Sequence, residues 1–588
     1  MRNRWKAAAW MGAAMIAAAS GAASAAPPVV TKIYPLSQRI DVPANTVISV
    51  DFNQAIDPAA VDGVSFRVYG RWSGPASGTT SVDGARITFT PDDPFFAGEW
   101  VTVNVSRAVE NLAGEPLAKG YAWNFWIKTA PGDLDLVYDG RVTSRQGGES
   151  WVQIYGAYAG DINNDGWSDL SAPCEQTADM RIFLNTGAGS YASFSKKAVP
   201  GGAVPSPNEG ADFNNDGEID IVIGNTTNSN VSVLFGDGTG AFPTGTSYSV
   251  GGTGASVRGV GVVDLNGDGW DDIVSAQRFA SNVAVWINNG DGTFAAPVFK
   301  EAGAAEFSVG IADANHDGLL DAFIGCFATP FNVVVMLSDG NGDLVAQTPT
   351  AGGGQPWQMV VGDFNGDGNV DAAVCNFGGS RFAVLLGDGA GGLAAPYYKT
   401  TGSYPLAIDA GDVDGDGDLE IVTSNYGGGS WTLYENTGAT FLNARTLPAS
   451  SAGSCAVLHD RDNDGDLDLT GLDEIDDWLY LFDNQLPPTS ATPPARAAVL
   501  SLENTPNPFN PSTTIRFELA RDADALLVVY DASGARVTTL HAGRLPAGTH
   551  EARWNGTDAR GERVSSGVYF CRLAAGGDAL TRKLVLLK

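Results

Sequence analysis

Nine residues reading DFNGDGNVD, from Asp363 to Asp371, crowd three aspartates and two side-chain amides around two glycines. Six close variants begin at residues 161, 212, 264, 313, 412 and 460, so successive starts lie 48 to 52 residues apart. Counting within each nonamer, positions 1, 3, 5 and 9 are Asp161, Asn163, Asp165 and Asp169 in the first, and Asp212, Asn214, Asp216 and Asp220 in the second. They are Asp264, Asn266, Asp268 and Asp272 in the third, Asp313, Asn315, Asp317 and Asp321 in the fourth, and Asp363, Asn365, Asp367 and Asp371 in the fifth. The last two have Asp412, Asp414, Asp416 and Glu420, then Asp460, Asp462, Asp464 and Asp468. Position 6 is always glycine, which makes the sharp turn that folds the acids inward. Hard oxygen ligands at this density suit Ca²⁺, which accepts about six to eight oxygens in a tolerant geometry. Position 7 varies freely, as expected if only its carbonyl binds. Up to seven calcium ions are therefore expected.

The charge balance fits that reading. These positions hold 23 of the 67 acidic residues in a chain of net charge -32, and seven Ca²⁺ would bring the net to about -18. Much of the acidity is then accounted for without a cationic partner, and no nucleic acid is expected.

Strands must position these loops. An EF-hand needs a carboxylate at its twelfth position and flanking helices, but Ile223 and Val374 stand there in the second and fifth loops. Each loop runs into a short apolar stretch such as IVIGN, IVSA or AAVCN, and then a second hairpin such as VSVLFGDGTGAF or VAVWINNGDGTF. Four strands per repeat at a period near 50 mark stacked sheets, none of which buries its faces alone. With 74 glycines and 56 aromatic residues among 588, the fold class is all-β.

These repeats resemble the FG-GAP or VCBS repeats of integrin α-chains and of secreted bacterial proteins, over residues 133–487. The resemblance implies a seven-bladed β-propeller. The last repeat stops after three strands at DWLYLFDNQ, and LDLVY at 134–138 is expected to supply the missing fourth. In the integrin-like arrangement the ligand meets the face opposite the calcium loops. Carried over, that face has Trp151, Arg258, Arg278, Phe279, Phe331, Trp357, Phe377, Arg381, Tyr404 and Tyr426, types enriched at binding hot spots; the alternative for any of them is packing between blades.

Residues 29–130 alternate as a sandwich of short strands, and VPANTVISVDFNQAIDP with NLAGEPL resembles bacterial Ig-like domains; a spacer role is expected. After the Pro-rich linker at 488–499, residues 500–588 resemble the Ig-like sorting domains of type IX secretion, similar also to the flagellar hook-capping protein, through PNPFNPSTTIRFEL and SSGVYF. That resemblance implies secretion machinery as a partner.

Residues 1–25, with Arg2, Arg4 and Lys6 before an apolar run and Ala23-Ser24-Ala25 at its end, read as a signal peptide. No later segment is long and apolar enough for a transmembrane helix. The five cysteines stand singly, without the density of a disulfide framework. Four histidines, two of them in or beside the acidic loops, and the lack of HExxH, P-loop or GxSxG motifs argue against an enzyme. The expectation is a secreted or cell-surface calcium-stabilised binding or adhesion protein with a protein or glycan ligand. The alternative is a lectin-like or polysaccharide-degrading protein using the same face.

Overall fold

A computed structural model describes residues 26–485, except 188, 252–254 and 439, and residues 499–587, except 520–522, 532–535, 547, 559 and 576–577. The expected signal peptide and linker residues 488–498 lie outside the described residues. Among the described residues the regular structure is antiparallel strand with three short 3-10 turns, and no helix is long and apolar enough to cross a membrane.

Seven sheets fill residues 137–483. Six take four consecutive strands from one repeat, one of these gaining a short fifth strand, Thr350–Ala351. Their inner strands are Tyr158–Gly160, Pro205–Ala211, Val257–Val263, Glu306–Ala312, Pro356–Gly362 and Ile408–Gly411. The seventh sheet runs Gly453–His459, Asp468–Asp473, Trp478–Asp483 and then back to Val137–Thr143. Thus the missing fourth strand comes from the N-terminal side, with Leu479 opposite Val142 and Phe482 opposite Tyr138. The strand begins three residues later than LDLVY suggests, because Leu136 is fully buried in the core beneath the seventh sheet.

Burial follows position in the sheet. Second strands such as Asp220–Asn225 are buried at every residue, having a neighbouring sheet on each face. An inner strand such as Val257–Val263 alternates, with Arg258, Val260 and Val262 turned toward a central cavity. Each inner strand packs on the next in chain order, and Gly453–His459 of the seventh packs on Tyr158–Gly160 of the first.

Side-chain amides clip neighbouring sheets. Asn185, Asn288, Asn436 and Asn484 each end a third strand or follow it closely, and each donates from Nδ2 to a carbonyl of the preceding sheet: Arg461, Phe213, Phe364 and Val413, at 2.8, 2.8, 2.9 and 2.9 Å. The Asn185 clip joins the first sheet to the seventh. Beside it, buried His459 bridges Ser168 Oγ at 2.8 Å and Thr470 Oγ1 at 2.9 Å.

Residues 30–126 form two four-stranded sheets around an aliphatic and aromatic core. This domain, for which a spacer role is expected, is docked on the acidic-loop side of the seven sheets. Arg67 pairs with Asp271 at 2.9 Å and Arg71 with Asp409 at 3.1 Å. Asn104 donates to Asp264 at 2.8 Å, and the backbone amides of Arg107, Ala122 and Ala130 donate to the carbonyls of Gly267, Gly318 and Gly465. Gly120 and Gly267 meet backbone to backbone, where a Cβ on Gly120 would sit 2.8 Å from the Gly267 Cα. Trp126 joins the hydrophobic cluster of the fifth and sixth sheets.

Residues 499–587 are a separate compact unit of a three-stranded and a four-stranded sheet closing on Phe509, Phe517 and Trp554. All five cysteines of the chain are buried free thiols.

Replacing Asn185 by Ala leaves the buried Arg461 and Ser168 carbonyls short of a donor and should cost about 1–3 kcal/mol in denaturant unfolding. Exposed Asn289→Ala is the control, expected within about 0.5 kcal/mol of the parent. Equal effects would mean that the contact between first and seventh sheets does not depend on this clip.

Candidate functional site

All seven nonamers adopt one conformation. The glycine at position 6 has φ between 81° and 98° in every loop. Position 4 is also left-handed throughout, with φ from 53° to 74°, and is Asn, Asn, Gly, His, Gly, Gly and Asn in turn. Asn and Gly tolerate that region best, so the choice at position 4, which sequence reasoning passed over, is a backbone requirement.

The acids have distinct tasks. At position 1, a carboxylate oxygen accepts the N–H of the position 6 glycine, at 2.7 Å for Asp363 and Gly368 and 2.8 Å for Asp161 and Gly166. Position 9 opens the second strand, and its two oxygens accept two backbone amides from different places. Asp371 takes Phe364 N at 3.0 Å and Gly387 N at 2.7 Å; Asp169 takes Ile162 N at 3.1 Å and Asn185 N at 2.7 Å. The remaining five position 9 acids repeat this pattern. Beyond lying beside the loop's other ligand-type residues, position 9 ties the loop to the third strand.

The loops then divide by position 3. In the first five, the Asn there donates through Nδ2 to the position 5 carboxylate, as Asn365 does to Asp367 at 3.1 Å. The sixth and seventh have Asp instead, and the acids converge: ligand oxygens of Asp412, Asp414 and Glu420, and of Asp460, Asp462 and Asp464, lie within 4.8 Å of one another. Asp412 and Asp460 each keep one buried oxygen without a hydrogen-bond partner. Burial pushes the carboxyls of Asp169, Asp321, Asp371, Asp412 and Asp460 up to about 7 and that of Asp220 up to about 8. Carboxylates held this deep, beside one another and partly unpaired, fit a hard, oxygen-seeking cation.

The opposite face brings most of the expected ligand-face residues into one crescent. Trp357 stacks on Phe377 with ring centroids 4.8 Å apart, and Phe377 meets Tyr404 at 5.0 Å. Trp357 also meets Phe307 at 4.6 Å, and Phe307 meets Phe327 at 4.9 Å. Arg278 lies over Phe327 at 4.5 Å and over Phe279 at 5.0 Å, while Arg258 sits 5.9 Å from the Trp357 ring. Phe279 and Tyr404, 68 % and 49 % exposed, end the crescent on the surface.

Other expected members have different roles. Arg381 is held over the Tyr398 ring at 4.3 Å and donates to Gly353 O, which is packing within its own sheet. Exposed Trp151 donates to Glu474 O at 3.1 Å, beside the strand closure. Phe331 occupies a left-handed turn and has no ring contact among the described residues. Half-buried Tyr426 stands just after the second strand of the sixth sheet.

Sequence reasoning missed Phe307, Phe327, Tyr155, Glu175 and Glu474. Phe327 was legible, since the residue after each second strand is Glu175, Thr226, Arg278, Phe327, Phe377, Tyr426 or Glu474, and its neighbours in this slot were already assigned to the face. The same slot places Glu474, Glu175 and Thr226 on the rest of the rim, and burial lifts Glu474 to about 7. Tyr155 accepts a 2.7 Å hydrogen bond from Trp357 Nε1 across the mouth of the central cavity. His459, lowered to about 3 by burial, is neutral and inaccessible, so its Ser168 contact is structural.

Family models, rather than individual relatives, speak to this architecture. No curated protein sequence matches the chain. Solved structures that match the chain include BBS1N in complex with ARL6DN, 12% identical, covering 61% of this chain and 99% of that one with a TM-score of 0.43. An Agrocybe aegerita lectin described as recognising non-reducing terminal N-acetylglucosamine is 18% identical, with coverage of 72% and 94% and a TM-score of 0.37. A Lactobacillus plantarum protein is 13% identical, with coverage of 66% and 98% and a TM-score of 0.39. Family models are more specific. Residues 24–126 match the bacterial Ig-like domain, and residues 504–578 match the FlgD Ig-like domain. Residues 161–223, 212–275, 264–324, 363–423 and 413–470 match the FG-GAP-like repeat, and together these five stretches contain all seven nonamers. The chain therefore carries an N-terminal bacterial Ig-like domain, FG-GAP-like repeats and a C-terminal FlgD Ig-like domain.

Proposed function

We propose that residues 133–487 are a calcium-stabilised seven-bladed β-propeller of an exported binding or adhesion protein, which meets a protein or glycan ligand on the face opposite its metal loops. The observation that carries this reading is the division of labour between two faces: acidic loops of one conformation on one side, an aromatic and arginine crescent on the other. In each loop, positions 1, 3, 5 and 9 would hold the ion and the position 7 carbonyl would complete the set. The ion supplies positive charge where buried carboxylates otherwise repel one another.

The Ig-like domain at 29–130 covers part of the metal-loop face, which leaves the crescent face for an external ligand. Aromatic and arginine side chains provide large contact areas at low entropic cost. The C-terminal unit, through its similarity to sorting domains, is assigned to delivery to the outer surface. Binding, rather than catalysis, accounts for a molecule whose buried histidine is neutral and whose acids are tied to backbone amides.

Chelation should lower the melting temperature of the full chain sharply, read by circular dichroism with and without EGTA. Each site filled at a hundredfold excess over Kd contributes about 2.7 kcal/mol, so losing several exceeds the few kcal/mol by which a domain is stable. A melting curve indifferent to EGTA, with negligible calcium by elemental analysis, overturns the metal reading.

Changing Asp363, Asp367 and Asp371 together to Asn should remove about one calcium per chain and part of the chelation shift. Phe279→Ala with Tyr404→Ala, both exposed, should leave melting unchanged and abolish capture on the glycan or protein array that the parent recognises. Retained capture would place the ligand elsewhere.

A further inference from the structure

We infer that the central cavity binds the end of a neutral saccharide chain, admitted past the aromatic crescent; this deepens the reading of that face as a ligand surface and rests on it. The cavity has a volume of about 310 Å³, at the low end of the roughly 300–1,000 Å³ range of small-molecule sites. It is lined by the inner strands of the seven sheets, and its floor is the docked Ig-like domain, with Trp100 and Trp126 edge to face at 4.8 Å. Tyr155, Arg258, Phe307 and Trp357 line its other end. A ligand therefore enters from the crescent side and stops against the floor.

Charge selects the class. Arg67 and Arg71 at the floor are already committed to Asp271 and Asp409. Of the other ionisable side chains on the wall, Glu209, whose carboxyl burial pushes up although Arg71 is nearby, stands with Arg258, and Asp264 accepts the Asn104 amide. The lining thus sets three arginines against four carboxylates, a near balance with no cluster of one sign to select an anion or a highly charged cation. The wall still offers hydrogen-bonding capacity beside apolar surface. Glu209 and Gln358 face the cavity with no side-chain hydrogen bond among the described residues, between Val260, Val262, Ile311 and Val360. A purely apolar ligand would strand those polar groups at a cost of about 1–3 kcal/mol each. A sugar ring satisfies both sets, its hydroxyls meeting the amide and carboxyl while its C–H faces lie on the rings and aliphatic walls. The volume limits the occupant to one or two such units.

Isothermal titration and saturation-transfer NMR of the full chain in calcium, with cellobiose, maltose and N,N′-diacetylchitobiose as probes and glucosamine and glucuronate as charged controls, test the inference. The expected result is saturable binding of at least one neutral disaccharide, tighter than either charged control. Gln358→Trp, which fills the cavity from a position exposed to it, should weaken that binding at least tenfold, and Val360→Phe should do the same should the first variant fold poorly. Asn289→Ala, at an exposed position outside the cavity, should leave it unchanged. No saturable binding of any neutral probe, preference for a charged control, or binding indifferent to both filling variants overturns the inference. Those failures leave the proposed function standing if the crescent variants still abolish array capture, whereas loss of array capture and of calcium dependence together would remove the reading beneath it.

Discussion

The carboxylate that opens the second strand of every sheet accepts one backbone N–H from the loop before it and a second from the chain leaving the third strand. In the fifth loop those amides lie seven residues before the acid and sixteen after it, as Phe364 and Gly387 do around Asp371. One side chain thereby sets the loop's height against the sheet and the register at which the third strand ends. An uncharged group of the same size would accept fewer bonds, whereas the longer Glu420 of the sixth sheet still takes Val413 N and Asn436 N. Because charge-assisted hydrogen bonds are the stronger kind, the charge has a structural use before any ion is considered. Its cost is a buried negative group in each of seven places, which the neighbouring acids at positions 1 and 5 make worse.

Those local requirements are why so much was legible. Gly at position 6 and Asn, Gly or His at position 4 answer backbone conformation, and the spacing of Asp residues answers a nine-residue loop, so both are written within a short window. The period and the incomplete last repeat led to the strand exchange, though Leu136 moved its start. The docking of the Ig-like domain was invisible for the opposite reason. Arg67 and Asp271 are 204 residues apart, and an arginine at an outward position of a strand reads the same whether it faces water or a partner carboxylate. The aromatic crescent was half legible: loop aromatics suggested it, but Phe307 lies at the start of an inner strand, where an apolar residue looks like core.

Asymmetry arises from how the surfaces are shared. The loops whose backbone carbonyls receive Ig-like amides include the third, fourth and seventh, so their geometry is fixed from two sides. The same docking gives the central cavity a floor, which an open ring of sheets lacks, and turns a channel into a pocket. Trp100, Trp126 and the two floor arginines are consequently shared property: they belong in sequence to the first domain and in function to the space enclosed by the second.

The borrowed strand also sets a timetable. Arg141 and Tyr480, which hydrogen-bond within the seventh sheet, are 339 residues apart in the chain. At about 5–20 residues per second, the ribosome needs on the order of 20–70 s to produce the partner after the strand itself has emerged. For that interval Val137–Thr143 has no third strand to pair with, and an unpaired edge is a template for another chain. Its composition suits the wait. VYDGRVT carries an aspartate and an arginine and breaks at Gly140, where the backbone turns to φ 150°, so the segment offers a stray strand little flat apolar edge before its own third strand arrives.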